Sequence, residues 1–424
     1  MLVLEGRAFF RGGLEPLAIG IDHGRIVEVS KTLHGDEHRD FGEHLILPGG
    51  VDLHVHFRDP GEPHKEDFST GTMSAAIGGV TTVLDMPNTK PPVGSRAVYE
   101  EKLAAVRGKA HVDFGLYGAL RGPENARTFA GLAPGGKLYM APTTGDLGVT
   151  DPKGVTAIVA AVAEARLFTV VHAEAPWQFG KENGRTLPAH NHMRPPEAEA
   201  AAIRALGAAA QESKIPPRLH IAHLTSRAGF DATAGLGFTT EVAPHHLFLE
   251  DTIPLHQRGK VNPPLRTADD RTVLWTALVE GRIDAVASDH APHTIEDKGL
   301  PFEEAPAGVP GVETMLPLLL RAVKRGDLSI ERFVEVTARR PAEILGLNAG
   351  AIEPGRLAHL IVVDPRNPVV IRAKQLHSKC GWTPFEGMEA VFPEATYVRG
   401  ELAAEKRELA GERLGRPIPS TKLS

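Results

Sequence analysis

Short β-branched or apolar runs alternate along this chain with stretches of helical periodicity, and that alternation constrains its fold more than any other feature. The runs fall at 50–57 (GVDLHVHF), 81–86 (TTVLDM), 111–118 (HVDFGLYG), 136–141 (GKLYMA), 168–172 (FTVVH), 219–223 (LHIAH), 238–243 (FTTEVA) and 283–288 (IDAVAS). Helical stretches separate several of them, at 94–108, 153–166, 197–213 and 268–280. Strand then helix, about eight times over roughly 300 residues, is the α/β pattern of a (β/α)8 TIM-like barrel. A doubly wound open sheet would alternate in the same way; the strand count favours the barrel. The first 49 residues read instead as short alternating strands with turn signals, and 356–400 has the same texture. The expected organisation is therefore a barrel over 50–349 and a small composite β-sandwich domain drawn from both termini, 1–49 plus 350–424. The closing RLGRPIPSTKLS reads as a surface tail.

Composition then removes several classes of function. Lys and Arg number 47 against 53 Asp and Glu, a net charge of −6, so nothing is left over to neutralise a phosphate backbone, and nucleic acid is not an expected partner. No run approaches the roughly 18 uncharged apolar residues of a membrane span. Glu5 and Arg7 interrupt the first apolar stretch, which lacks the layout of a secretory leader, and the chain reads as cytoplasmic. Cys380 is the single cysteine, which rules out a thiolate metal cluster. Any metal must be held by nitrogen and oxygen, and 20 histidines supply the nitrogen.

His54 and His56 lie two apart in a strand, so both imidazoles share one face. An isolated H-x-H is weak evidence of a metal site, but here it has company. His172 ends the fifth run, His223 ends the sixth and Asp289 follows the eighth. In a barrel these C-terminal strand ends converge on one point, and imidazole with carboxylate suits catalytic Zn²⁺, with Co²⁺ or Mn²⁺ as substitutes. Lys137, in the fourth run, belongs to the same ring. A lysine beside metal ligands makes chemical sense once CO₂ has carbamylated it, which turns the ammonium into a bidentate carboxylate able to bridge two metals. Asp146 (TTGDLGV) is a rival bridging ligand.

Several segments carry a resemblance: PGGVDLHVHFRDPG (48–61), GGVTTVLDMPNT (78–89), KLYM (137–140), VHAE (171–174), EVAPHHL (241–247), VNPPLR (261–266), SDHAPHT (288–294) and GVPGVETMLPLLL (308–320). Together they resemble the class I type dihydroorotases of the amidohydrolase superfamily, over about residues 45 to 387. The resemblance implies a zinc-dependent enzyme of pyrimidine (UMP) biosynthesis that interconverts N-carbamoyl-L-aspartate and L-dihydroorotate. Two zincs per chain would be held by His54, His56 and Asp289 on one side and His172 and His223 on the other. Asp289 would also be the catalytic proton shuttle. At the bridging position, many bacterial members carry an Asp-Asp-Gly turn where this chain has TTGDLG, whereas KLYM is similar to the segment that bears a carbamylated lysine in other members. Lys137 is preferred and Asp146 stays open.

A substrate ring bearing a carboxylate needs a planar cationic fork, and Arg58 stands two residues beyond His56 to supply it. The resemblance adds Asn88 to that carboxylate, Asn262 and His293 as further substrate contacts beside His56, and the backbone near Ala307 and Gly308 for the ring amides. It is also compatible with a homodimer and with association with an aspartate transcarbamoylase. Other cyclic-amide hydrolases, such as allantoinases and dihydropyrimidinases, would share the histidines and the lysine; Arg58 and MPNT separate them. A silent scaffold relative would be marked by lost ligands, and none is lost here. His64, His190, His192, His245 and His246 are read as organising loops or the barrel mouth rather than binding metal.

Overall fold

A computed structural model describes residues 1–142, 147–181 and 184–420. Its centre is a ring of parallel strands: β1 (Gly50–Val55), β2 (Val80–Asp85), β3 (Asp113–Leu116, continued past Tyr117 by Gly118–Ala119), β4 (Gly136–Tyr139), β5 (Thr169–His172), β6 (Leu219–Ile221), β7 (Thr239–Val242) and β8 (Ala285–Val286). Nearly every residue in them is buried, as both faces of a parallel sheet must be when helices cover one and the strands' own side chains fill the other. The ring closes where β8 runs on to meet β1: Val55 bridges His290, and the His56 N–H donates to the His290 carbonyl at 2.8 Å. Asp52 reinforces the seam, its Oδ1 accepting from the backbone N–H of His54 at 3.1 Å and of Ser288 at 3.0 Å. This closure settles the choice between barrel and open sheet.

The helices expected from periodicity form at Arg96–Val106, Pro152–Glu164, Pro196–Glu212 and Ala268–Val279. The second illustrates the local cause. Asp151 caps it, accepting from the Gly154 N–H at 2.9 Å; Pro152 opens it at a position where no N–H is needed; and Val155, Ile158, Val159 and Val162 present one buried face. Such a cap contributes about 1 kcal/mol.

Both termini build one eight-stranded sheet beside the barrel. In spatial order its strands are Glu408–Leu409, Glu401–Glu405, Ala395–Val398, Leu360–Val363, Glu37–Pro48, Leu2–Phe10, Gly13–Asp22 and Arg25–Ser30. The seam between the two ends of the chain is the antiparallel pairing of Leu360–Val363 with Glu37–Pro48. Period-two alternation there divides the side chains between two cores: Ile46, Leu360 and Val362 join Leu4, Ile19 and Tyr397 inside the small unit, while Leu47, Ile361 and Val363 join the barrel core. The strand Glu37–Pro48 leads directly into β1, so the sheet fixes the start of the barrel.

Two local expectations are corrected. His190 and His192, read as loop residues, lie in a helix over Leu187–Met193 that Thr186 caps. The C-terminal segment does not stand free in solvent either, since the Phe114 N–H donates to Arg416 O at 3.0 Å and the Ile418 N–H to Phe114 O at 2.8 Å, adding a short strand beside β3. Ile418 packs against buried apolar side chains. We predict that removing residues 411–424 lowers the thermal unfolding midpoint by several degrees, as the loss of these pairings at about 1 kcal/mol each requires; an unchanged midpoint would mean the segment is an ornament.

Candidate metal centre and substrate cavity

The parallel ring delivers the expected side chains to one end. His54 and His56 share a face of β1, His172 ends β5, and His223 and Asp289 lie just past β6 and β8. The backbone there is bent sharply: Arg58, His223 and Asp289 have φ of 59°, 36° and 44°. Left-handed conformations in such residues cost of order 1–3 kcal/mol each and concentrate at functional sites. Arg58 therefore reaches the cavity by a left-handed turn rather than as a continuation of the strand.

Asp289 Oδ1 lies 3.3 Å from His54 Nε2 and 3.2 Å from His56 Nε2, and these three residues bring their donor atoms close enough to hold one metal ion. Beside them, His172 Nδ1 faces His223 Nε2 at 3.0 Å, with the His54 and His223 ring centroids 5.4 Å apart. The hydrogen-bond network assigns three tautomers. His54 Nδ1–H donates to Glu241 Oε1 at 2.7 Å, His56 Nδ1–H to Asn88 Oδ1 at 2.7 Å, and His172 Nε2–H to Glu174 Oε2 at 2.8 Å. In each ring the other nitrogen is left with a lone pair directed at the centre, the arrangement in which outer acceptors orient metal-binding histidines.

Burial sets the charges. It pushes His54 down to about 4, with Lys137 adding to the shift, so the ring is neutral at pH 7. Burial would raise Asp289 and Glu241, but surrounding imidazoles outweigh it, holding Asp289 well below the usual carboxylate range and Glu241 at about 2. Lys137 is fully buried, its Nζ has no hydrogen-bond partner among the described residues, and burial lowers it to about 8. At that value roughly one amine in ten is neutral at pH 7, against far fewer for an ordinary lysine, and the neutral amine is the form that reacts with CO₂. Asp146 lies outside the described residues.

One cavity, open to solvent, is lined by His54, His56, Arg58, Asn88, Lys137, His172, His223, Asn262, Asp289, Ala307 and Gly308, together with Tyr139, Val261 and Ala291. Arg58 is buried; its Nε donates to Pro292 O at 3.3 Å, and no carboxylate pairs with it among the described residues. His293 stands behind the lining, its Nε2 3.1 Å from Ala307 O and 3.2 Å from an Arg58 nitrogen. His190, set aside in the sequence, places Nε2 3.0 Å from Asn262 Oδ1 and so steadies a lining residue. His245 and His246 are buried below the mouth, His64 is exposed, and Cys380 is a buried thiol raised to about 11.

Sequence reasoning missed the supporting carboxylates. Glu174 is buried and gripped by Arg194, whose Nε donates to Oε1 at 3.1 Å. Glu241 bridges His54 and His220. Glu174 stands two residues beyond His172, and Glu241 lies on β7, so both were legible as acids at strand ends.

The amidohydrolase family model matches residues 45–403 of this chain. Among curated relatives, a dihydroorotase of Halobacterium salinarum is 44% identical over 390 residues, covering 90% of this chain and 92% of the relative, and one of Methanosarcina acetivorans is 39% identical over 427 residues, covering 93% and 90%. The chain belongs to the amidohydrolase family, among its dihydroorotases. The fold agrees: an L-hydantoinase (dihydropyrimidinase) from Arthrobacter aurescens superposes with a TM-score of 0.92 at 29% identity over 99% of both chains. A dihydropyrimidinase from Brevibacillus agri gives 0.90 at 25% identity over 100% of this chain and 99% of the other. In an amidohydrolase with this donor set, Glu174→Gln would present an amide N–H₂ to Arg194 and loosen His172. We predict metal affinity lower by about 10–100-fold, measured by competition with a chelator; unchanged affinity would remove Glu174 from the support of the centre.

Proposed function

We propose that this chain catalyses the reversible cyclisation of N-carbamoyl-L-aspartate to L-dihydroorotate with release of water, in pyrimidine (UMP) biosynthesis. One observation carries the choice of substrate: a buried guanidinium, unpaired with any described carboxylate, opens on the same cavity as the histidine cluster. A buried charge is costly unless a partner arrives, and the substrate's carboxylate is that partner. A ring without one, such as dihydrouracil or hydantoin, leaves Arg58 uncompensated.

The donor set fits two zinc ions, with His54, His56 and Asp289 holding one and His172 and His223 the other. The inward lone pair of His172, the His223 ring facing it at 3.0 Å and the Nζ of Lys137, which has no hydrogen-bond partner among the described residues, suit a second electrophile. Carbamylated Lys137 would supply the bridging anion. Metal bound there acts as a Lewis acid and lowers the pKa of water to about 7.

The chain's own groups do the rest. Arg58, with Asn88, holds the ring carboxylate and thereby fixes the scissile amide over Asp289. Asp289 Oδ1 faces the Nε2 lone pairs of His54 and His56, with which it would share a metal; Oδ2, engaged by no described residue, takes the proton released as oxygen adds to the carbonyl and returns it to the departing ring nitrogen. Asn262 and the Ala307–Gly308 backbone meet the remaining polar edges of the ring. The reading includes a cytoplasmic homodimer able to associate with an aspartate transcarbamoylase, and a division into a barrel over 50–349 and a small domain from 1–49 and 350–424. No described helix is long and apolar enough to cross a membrane.

Two results are expected. Arg58→Met should lower kcat/KM for L-dihydroorotate by about 10–100-fold, the loss of a charge-assisted bidentate contact, with metal content unchanged; an unaffected variant overturns the substrate assignment. Native mass spectrometry should find the chain heavier by one CO₂, and Lys137→Ala should bind fewer metals per chain. Equal metal content in that variant would return the bridging role to Asp146.

A further inference from the structure

Lys298 ends the short helix Ile295–Lys298 and is fully buried, yet no carboxylate pairs with it among the described residues. Its Nζ donates instead to three backbone carbonyls: Lys260 O at 3.0 Å, Pro306 O at 2.9 Å and Gly308 O at 3.0 Å. An ammonium has three N–H donors, and all three are used. The Trp382 ring lies 5.7 Å from the same nitrogen, and the indole N–H donates to His293 O at 2.8 Å.

The carbonyls come from two segments that wall the substrate cavity, the one leading into Val261 and Asn262 and the one containing Ala307 and Gly308. These segments are also joined directly, since the Gly308 N–H donates to Lys260 O at 3.0 Å. Gly308 sits at φ +138°, and a Cβ there would meet Ala291 O at 2.6 Å, so the backbone is pressed close to β8's extension with little room for slack. Burial, reinforced by the charge of Lys260, disfavours a cation at this place and lowers the Lys298 pKa. What retains it is that three buried acceptors point at one spot and would otherwise go unpaired.

We propose that Lys298 is a positioning residue for substrate affinity: its ammonium ties the Val261–Asn262 and Ala307–Gly308 segments into one rigid wall against which the substrate ring lies. The proposal rests on the substrate reading above. It predicts a particular kinetic signature, because this wall grips the ring before and during reaction alike, while the metal ligands and Asp289 stand on other strand ends. An interaction equal in ground and transition states appears in KM and leaves kcat alone.

The test compares wild type with Lys298→Met, which keeps the length but removes every donor, and Lys298→Gln, which keeps two. For L-dihydroorotate, KM should rise about tenfold or more in Lys298→Met and by an intermediate amount in Lys298→Gln, with kcat and metal content within about twofold of wild type. A folded Lys298→Met with unchanged KM, or with kcat lost at unchanged KM, overturns the proposal. If that variant does not fold, Lys298→Gln decides alone: an unchanged KM overturns it. Wild type that fails to open dihydroorotate would instead refute the substrate reading, and the same KM comparison would then be made on whichever cyclic amide wild type opens.

Discussion

Everything in this molecule that bears on chemistry depends on the closure of the strand ring between β1 and β8. The His56 N–H to His290 carbonyl bond and the double acceptance by Asp52 Oδ1 place Asp289 directly opposite His54 and His56. In an open sheet these ends would lie at opposite edges, and no carboxylate would face the pair. Because all the strands are parallel, the same closure brings β4, β5 and β6 to the same end, so that Lys137, His172 and His223 need no special loops to join them. The cost is local. Three residues at this end adopt left-handed backbone, and the continuous burial of the strands beneath them is what over-determines those conformations.

The electrostatic design is layered. Neutral imidazoles occupy the centre, because burial drives protons off them, and carboxylates that remain ionised stand behind. Glu174 and Glu241 select which nitrogen of His172 and His54 faces inward, and Arg194 in turn keeps Glu174 ionised and fixed. Unlike Arg194, the buried cations Lys137, Arg58 and Lys298 have no carboxylate partner among the described residues. Lys298 meets a cage of backbone carbonyls instead; under the proposed function, carbamylation would compensate Lys137 and the substrate's carboxylate would compensate Arg58.

The sequence made the fold and the centre largely readable because both rest on short-range regularities. Period-two spacing put His54 and His56 on one face, and strand-ending histidines had to converge once the barrel was accepted. Apart from Glu174, two residues from His172, what escaped depends on contacts distant in sequence. Glu241 is 187 residues from the ring that it orients, and Lys298 looks like any solvated lysine until the fold brings three carbonyls around it. His293 stands beside Arg58 and Ala307 O, a neighbourhood that no spacing rule resolves. The helix over Leu187–Met193 was hidden by the prolines in and around it, although Pro188 stands in its first turn, where no N–H is needed.

Substrate choice between close relatives tests the central claim most directly, since the metal-binding groups serve any cyclic amide while the unpaired guanidinium serves only an anionic one. The measurement is kcat/KM of the zinc-loaded enzyme for L-dihydroorotate beside dihydrouracil, hydantoin and allantoin. The account predicts turnover of dihydroorotate with the uncharged rings slower by at least about two orders of magnitude, as an unmade charge-assisted contact in a buried site requires. Comparable turnover of the uncharged rings would contradict it, leaving the metal centre intact and Arg58 without its role.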